Sequence, residues 1–197
     1  PVGISGYSEA HADRPAYDPD RAKELLAEAG YPDGFSFGLK CTNDRYINDE
    51  ALCRAAASML AAVGMNAELT TVPVRNYWEQ LRADDFDMYL LGWSPGTFDA
   101  EHPIRFLLHT QDDEAKLGSW NFGNYSNAEV DALLPQIQEE IDPATRQALI
   151  DQVVEITQSE TAYVPLYTQP LIWAAKDSID LTQRADNFFM LRWVTVH

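Results

Sequence analysis

The spacing of apolar residues predicts a series of helices along the chain. Between Ala22 and Ala29 they recur at i, i+3, i+4 and i+7, the spacing of one helix face. Asp18 and Pro19 precede this stripe as an N-cap and a first helical residue, and Gly30 follows as a C-terminal stop. Pro135 lies inside a later stripe and is expected to kink or shorten that helix. Further N-caps are expected at Asn48, Asn127 and Asp142. Stripes and caps together predict helices at 19–29, 48–63, 74–82, 128–141 and 143–160.

Segments between these helices have the pattern of strands. Phe35–Cys41 alternates apolar and polar residues, Met65–Val72 has strand character, and Phe86–Trp93 is hydrophobic enough for a central strand. Because strands alternate with helices, we predict an α/β fold with a mixed sheet flanked by helices. The tail turns β-like again, with strands expected at Tyr163–Tyr167, Leu171–Ala175 and Phe188–Val196.

The charge balance narrows the range of partners. The chain has 31 acidic residues against 14 basic ones, which gives a formal net charge of −17. A surface this acidic repels phosphate backbones and anionic lipid heads, so nucleic acids and membrane surfaces are not expected partners. No apolar run reaches the roughly 18 residues that a membrane-spanning helix needs. The chain begins Pro1-Val2-Gly3 without a signal peptide, as expected for a segment of a longer precursor.

Two loops combine aromatic and polar residues in a way that suits a small organic solute. One runs from Thr42 to Asn48 and the other from Ser94 to His102, and each follows the end of a predicted strand. Because ligands of open α/β sheets lie beyond the carboxyl ends of the strands, we expect the two loops to be neighbours. The candidate ligand-binding residues are Asn43, Arg45, Tyr46, Trp93, Thr97, Phe98 and Asp99.

Individual candidates in these loops also have structural interpretations. The planar guanidinium of Arg45 suits a carboxylate, but a surface ion pair with Asp44 or Asp49 accounts for it equally well. Trp93 either supplies a flat apolar wall or completes the core. We therefore expect Trp93 and Tyr46 as walls, with Arg45 and Asp99 as anchors for a zwitterionic solute.

The remaining chemistry-bearing residues give no catalytic or metal motif. Nucleophile elbows, phosphate-binding loops and zinc-protease motifs are absent from the sequence. His102 and His109 are seven residues apart but have no further ligand beside them, so neither a metal nor a cofactor is predicted. Cys41 ends a strand and Cys53 lies in the next helix, close enough for a disulfide; two buried free thiols are the alternative.

Several segments resemble family 5 extracellular solute-binding proteins, the dipeptide, oligopeptide and nickel-binding group. NDRYINDE (Asn43–Glu50) and QRADNFFMLRW (Gln183–Trp193) look like one subgroup of that family. The order of the similar motifs and the spacing between them agree with the family along nearly the whole chain. The motifs similar to the family as a whole are YDPDRAKELLAEAGYPDGF (Tyr17–Phe35), FDMYLLGW (Phe86–Trp93), YSNAEVDALL (Tyr125–Leu134), DPATRQALI (Asp142–Ile150) and AYVPLY (Ala162–Tyr167).

The resemblance implies a two-lobed receptor, periplasmic or lipid-anchored, that closes over a short peptide or peptide-like solute and serves the permease subunits of an ABC importer. Residues 1–167 would form its second lobe, and residues 168–197 would return to the first lobe. Peptide-binding relatives often carry an aspartate three residues after the tryptophan, where it pairs with the ligand's amino group. Here that position is Gly96, and Asp99 is the alternative anchor.

Two other functions use the same features. An α/β enzyme with an acid–base carboxyl pair would need a carboxyl group with a strongly shifted pKa beside a partner in a pocket. A sensory receptor could reuse the same binding fold, since a fold does not determine a function.

Overall fold

The computed structural model describes all 197 residues and divides into two compact units. The large unit is Val2–Tyr163, and the small unit consists of Pro1 and Val164–His197. No helix has the length and apolar character needed to cross a membrane.

A three-stranded parallel sheet forms the centre of the large unit. Its strands are β1 (Phe35–Thr42), β2 (Met65–Val72) and β3 (Met88–Tyr89), in the order β2-β1-β3. β1 and β2 pair over their full lengths, whereas β3 pairs with β1 at only two positions. The predicted α/β class is confirmed. All the strands of this sheet are parallel, so their carboxyl ends meet at one edge.

The helices agree with the stripe-and-cap pattern to within two residues at each end. The caps act locally: Asp18 accepts a hydrogen bond from the amide of Arg21, and Asp142 accepts one from Thr145. α5 continues for four residues beyond Pro135, so the expected kink does not end it. The helices are α1 (Pro19–Glu28), α2 (Asp49–Ala61), α3 (Val74–Arg82), the short α4 (Glu101–Pro103), α5 (Ala128–Glu139) and α6 (Pro143–Ser159).

Three apolar clusters hold these elements together. One joins α5 to α6, one packs α2 on the sheet, and one lies under α3. The first buries Val130, Leu133, Leu134, Ile137, Ile150 and Val153; the second Phe37, Leu39, Cys41 and Cys53; the third Tyr77, Leu81 and Phe122.

The third strand is much shorter than its hydrophobic run, Phe86–Trp93, predicted. At each of its ends one backbone hydrogen bond to β1 remains, from the amide of Asp87 to the Gly38 carbonyl at 3.2 Å and from the amide of Leu90 to the Lys40 carbonyl at 3.1 Å, and a side chain adds a further bond. The Asp87 carboxylate accepts from the amide of Gly38 at 2.6 Å, and the buried Tyr77 hydroxyl accepts from the amide of Leu90 at 3.1 Å. The chain therefore stays beside β1 beyond Tyr89 without regular strand pairing.

The β-rich tail expected from the sequence is only partly present. Tyr163–Tyr167 and Leu171–Ala175 form no strand, and within Phe188–Val196 only Thr195–Val196 (β5) does. β5 pairs antiparallel with β4, Ile179–Asp180. The alternating apolar residues are present, but no strand lies beside most of them, and a strand needs a hydrogen-bonding neighbour.

Candidate functional site

The loop between β1 and α2, Asn43–Asn48, is organised by the buried carboxylate of Asp49. One oxygen of Asp49 accepts hydrogen bonds from the Thr42 hydroxyl at 2.7 Å and from the amides of Arg45 and Tyr46 at 3.0 and 3.1 Å. Burial raises the pKa of Asp49, but these hydrogen bonds outweigh it and hold the pKa below its ordinary value. The sequence pattern missed this role, because it assigned the cap to Asn48, whose side chain makes no capping bond.

A disulfide fastens the same loop from both sides. Cys41 in β1 and Cys53 in α2 are fully buried and joined with an S–S distance of 2.00 Å. The bond ties the strand before the loop to the helix after it.

The disulfide gives a direct chemical prediction. Thiol titration of the denatured, unreduced protein from an oxidising host should find no free thiol, and reduction should release two. Cys41→Ser combined with Cys53→Ser should lower the free energy of unfolding by about 3 kcal/mol, the cost expected for opening a loop of this length. Two free thiols in the unreduced protein would contradict the bond.

The first candidate loop touches the chain just before the second one, through Tyr46 and Gly92. The amide of Gly92 donates to the Tyr46 hydroxyl at 2.8 Å. A Cβ at Gly92 would lie 2.6 Å from Cε1 of Tyr46, so only glycine permits this approach. Tyr46 therefore holds the first loop against the chain just before Trp93. A shallow depression of about 420 Å³ opens beside it, bounded partly by Asn43 and Arg54.

Trp93 belongs to a partly exposed cluster of rings that we call the aromatic wall: Trp93, His102, Phe106 and Trp120. The Trp93 indole NH donates to Nδ1 of His102 at 3.1 Å. Its ring centroid lies 5.3 Å from that of His102, 6.0 Å from Phe106 and 5.8 Å from Trp120. His102 thus orients Trp93, a role that its spacing to His109 did not indicate.

His102 and His109 do not form a pair. His109 follows the π-helical turn Ile104–Leu108 in an extended conformation, and its Nδ1 lies 2.7 Å from the carbonyl oxygen of Thr110. No group of three or more His, Cys, Asp or Glu side chains could hold a metal ion.

Asp99 differs from the sequence expectation, which offered it as an anchor for a ligand's amino group. Both of its oxygens are held by the Arg146 guanidinium, at 2.8 and 3.0 Å, and one also caps the amide of Glu101. Burial raises the Asp99 pKa, but the Arg146 bonds outweigh it and the pKa is lowered. The ion pair joins the second loop to α6, so Asp99 has a structural partner.

The remaining candidates are exposed. Asn43 and Thr97 are on the surface, and Phe98, with a φ of +54°, is 37% exposed. The Arg45 guanidinium lies 5.4 Å from the centroid of the Tyr46 ring. The ion pair with Asp44 or Asp49, the alternative interpretation of Arg45, does not form: Asp49 binds backbone amides, and Asp44 accepts from the amide of Val74. A Cβ at Gly96 would meet no atom within 4 Å, so that position is open.

The family model and the similar proteins of known name all point to solute-binding proteins. Residues 1–115, more than half of the chain, match the bacterial extracellular solute-binding proteins, family 5, middle region. The glutathione-binding protein GsiB of Escherichia coli (strain K12) is 30% identical over 173 residues, which cover 85% of this chain and 33% of that protein. GsiB of Shigella dysenteriae serotype 1 matches with the same identity and coverage.

Solved structures share the fold. The ABC transporter-associated periplasmic binding protein DppA from Helicobacter pylori, in complex with the peptide STSA, superposes with a TM-score of 0.74 at 26% identity, covering 84% of this chain and 31% of that one. A dipeptide-binding protein from Pseudoalteromonas sp. SM9913 with Met-Leu gives a TM-score of 0.72 at 23% identity, covering 82% and 32%, and shows the fold alone. The chain spans about a third of the length of these relatives. It belongs to the family 5 bacterial extracellular solute-binding proteins.

Proposed function

We propose that this chain forms one wall of the solute-binding cleft of a receptor that delivers short peptides or peptide-like solutes to an ABC importer. The main support is the bond between the Tyr46 hydroxyl and the Gly92 amide, which holds the first loop against the chain that leads into the second, beyond the carboxyl ends of β1 and β3. Ligands of open α/β sheets bind at such an edge. The aromatic wall beside it offers flat apolar surface with polar groups at its margin, which suits a small organic solute.

The relatives supply the solute class in this proposal. GsiB is named for glutathione, and the Helicobacter pylori structure contains a tetrapeptide. Because the chain covers only a third of each, the solute, the periplasmic site of action and the contact with permease subunits are proposed for the full-length protein.

We also propose that the small unit packs against another part of a longer receptor. The sequence expectation placed a second lobe at residues 1–167 and a returning segment at 168–197, and the compact units divide between Tyr163 and Val164. An exposed apolar surface of this density is typical of an interface. The exposed apolar side chains of this unit are Val164, Leu166, Tyr167, Leu171, Ile172, Phe188, Phe189, Leu191, Trp193 and Val196.

The titration behaviour of the carboxyl groups favours binding over acid–base chemistry. Every carboxyl group with a resolved shift has a lowered pKa, and each accepts hydrogen bonds from structural donors. A general acid at neutral pH needs a raised pKa instead. The groups are Asp49, Asp99, Asp142, Glu160 and Asp186.

Native mass spectrometry of the gently purified full-length protein tests the proposal. We expect a bound solute with the mass of a short peptide or peptide-like molecule, released on denaturation. Trp93→Ala should carry much less of it, because the indole is the central ring of the aromatic wall. Protein that carries no solute, and that also gives no heat with glutathione or with di- to tetrapeptides, would contradict the proposed function.

A further inference from the structure

One partly buried cation has no carboxylate partner. Of the 14 Lys and Arg residues, ten are exposed and only Lys40, Arg105, Arg146 and Arg184 are not. Arg105 takes part in none of the ion pairs of the structure. The other three each hold an acid, in the pairs Lys40–Asp85, Arg146–Asp99 and Arg184–Asp186.

The guanidinium of Arg105 also has an unused hydrogen-bond donor. Its Nε is buried and has no hydrogen-bond partner, the only buried side-chain nitrogen or oxygen in this condition. Buried donors are normally satisfied, and buried charges are normally paired, because leaving them alone costs free energy. In a chain with 31 acidic residues, an unpaired arginine at such a place indicates that its partner comes from outside the chain.

Arg105 lies at the aromatic wall. Its guanidinium carbon is 5.3 Å from the centroid of the Phe106 ring, and that ring packs against Trp93 at 6.0 Å. One ring therefore separates the cation from the indole that we place in the cleft. Stacking on an aromatic face leaves the donors at the edge of the guanidinium available.

The backbone around Arg105 is firmly held. Its carbonyl oxygen accepts from the amide of Gly118 at 2.9 Å, and that of Phe106 accepts from the amide of Trp120 at 3.0 Å. Both residues belong to the π-helical turn Ile104–Leu108, and turns of this kind occur frequently at functional sites.

We propose that Arg105 binds an anionic group of the solute, a carboxylate, at the aromatic wall. This inference rests on the proposed function and adds the chemistry of the ligand: the solute carries a carboxylate, which the planar fork of Arg105 binds through two parallel hydrogen bonds. The two acids that precede Arg105 most closely do not pair with it: Glu101 accepts a hydrogen bond from the side-chain amide of Gln138, and Asp99 is held by Arg146.

Calorimetry on the full-length protein tests the proposal with glutathione and its diethyl ester, in which both carboxylates are blocked. The wild type should bind glutathione more tightly than the ester by at least about tenfold, since the ester loses a charge-assisted pair. Arg105→Met should abolish this preference, Arg105→Lys should retain part of it, and Arg82→Met, an exposed arginine on α3, should retain all of it. A preference that persists in Arg105→Met would overturn the proposal.

A second measurement tests Arg105 in the wild-type protein. It applies if neither glutathione nor its ester binds, or if the variants do not fold. Phenylglyoxal modifies arginine side chains, and peptide mapping gives the rate at Arg105 and at Arg82 in the wild-type protein. Excess succinate should slow the reaction at Arg105 several-fold and leave Arg82 unchanged. Equal rates with and without succinate would overturn the inference. Protection by succinate without binding of any peptide-like solute would instead retain Arg105 as a carboxylate site and refute the proposed function.

Discussion

Replacing Trp93 with alanine in the full-length protein is expected to weaken solute binding by about 2 kcal/mol, or roughly 30-fold in Kd. The indole is the shared neighbour of His102, Phe106 and Trp120, so its removal opens the centre of the aromatic wall. Titration calorimetry with the solute that co-purifies measures the change. Trp93→Phe should recover part of the affinity, because it restores a flat ring without the indole NH.

Trp78 provides the matched control for this prediction. Its ring packs on Tyr77 and on Trp120, one member of the aromatic wall, but has no ring contact with Trp93, His102 or Phe106. Trp78→Ala should therefore lower the thermal midpoint of unfolding but cost much less solute affinity than Trp93→Ala, because Trp93 and its contacts with His102 and Phe106 remain. Equal loss of affinity in Trp78→Ala and Trp93→Ala would show that the wall acts only through stability.

Replacing Asp49 with alanine is expected to lower the free energy of unfolding by about 3 kcal/mol. The side chain is only 3% exposed, and its loss leaves the Thr42 hydroxyl and the amides of Arg45 and Tyr46 without their acceptor. The first loop should loosen as well, so solute affinity should fall together with stability. Chemical denaturation followed by tryptophan fluorescence gives the energy, with the exposed Asp13→Ala as control. A cost no greater than that of Asp13→Ala would contradict the role of Asp49.

The pH dependence of a second variant at this position, Asp49→Asn, provides a further check. Because the pKa of Asp49 is lowered in the folded protein, its stabilisation is complete above the unfolded pKa of about 4 and is lost as the pH falls through the folded pKa. Wild type and Asp49→Asn should therefore differ most near neutral pH and converge in acid. A difference that stays constant on acidification would indicate that the charge of Asp49 contributes nothing.

The sequence alone determined the local elements of this protein. The apolar stripes and the caps Asp18, Asn127 and Asp142 predicted the main helices to within two residues, because a helix is specified by residues three or four positions apart. Alternating helices and strands predicted the α/β class. Placing the two loops beyond strands of one sheet also predicted their neighbourhood, since parallel strands end at the same edge.

Only the tertiary structure decided which contacts individual side chains make in the two loops and at the edge of the sheet. Asp99 and Arg146 are 47 residues apart in the sequence, and Tyr46 and Gly92 are 46 residues apart, so no local sequence pattern predicts either contact. The same holds for the bond between the Tyr77 hydroxyl and the Leu90 amide at the end of β3, and for the tail, where few residues with strand character have a strand beside them. Helix patterns are local because their hydrogen bonds are local. Ion pairs, strand pairing and ring contacts depend on which distant segments pack together. The spacing of residues along the chain does not determine which segments these are.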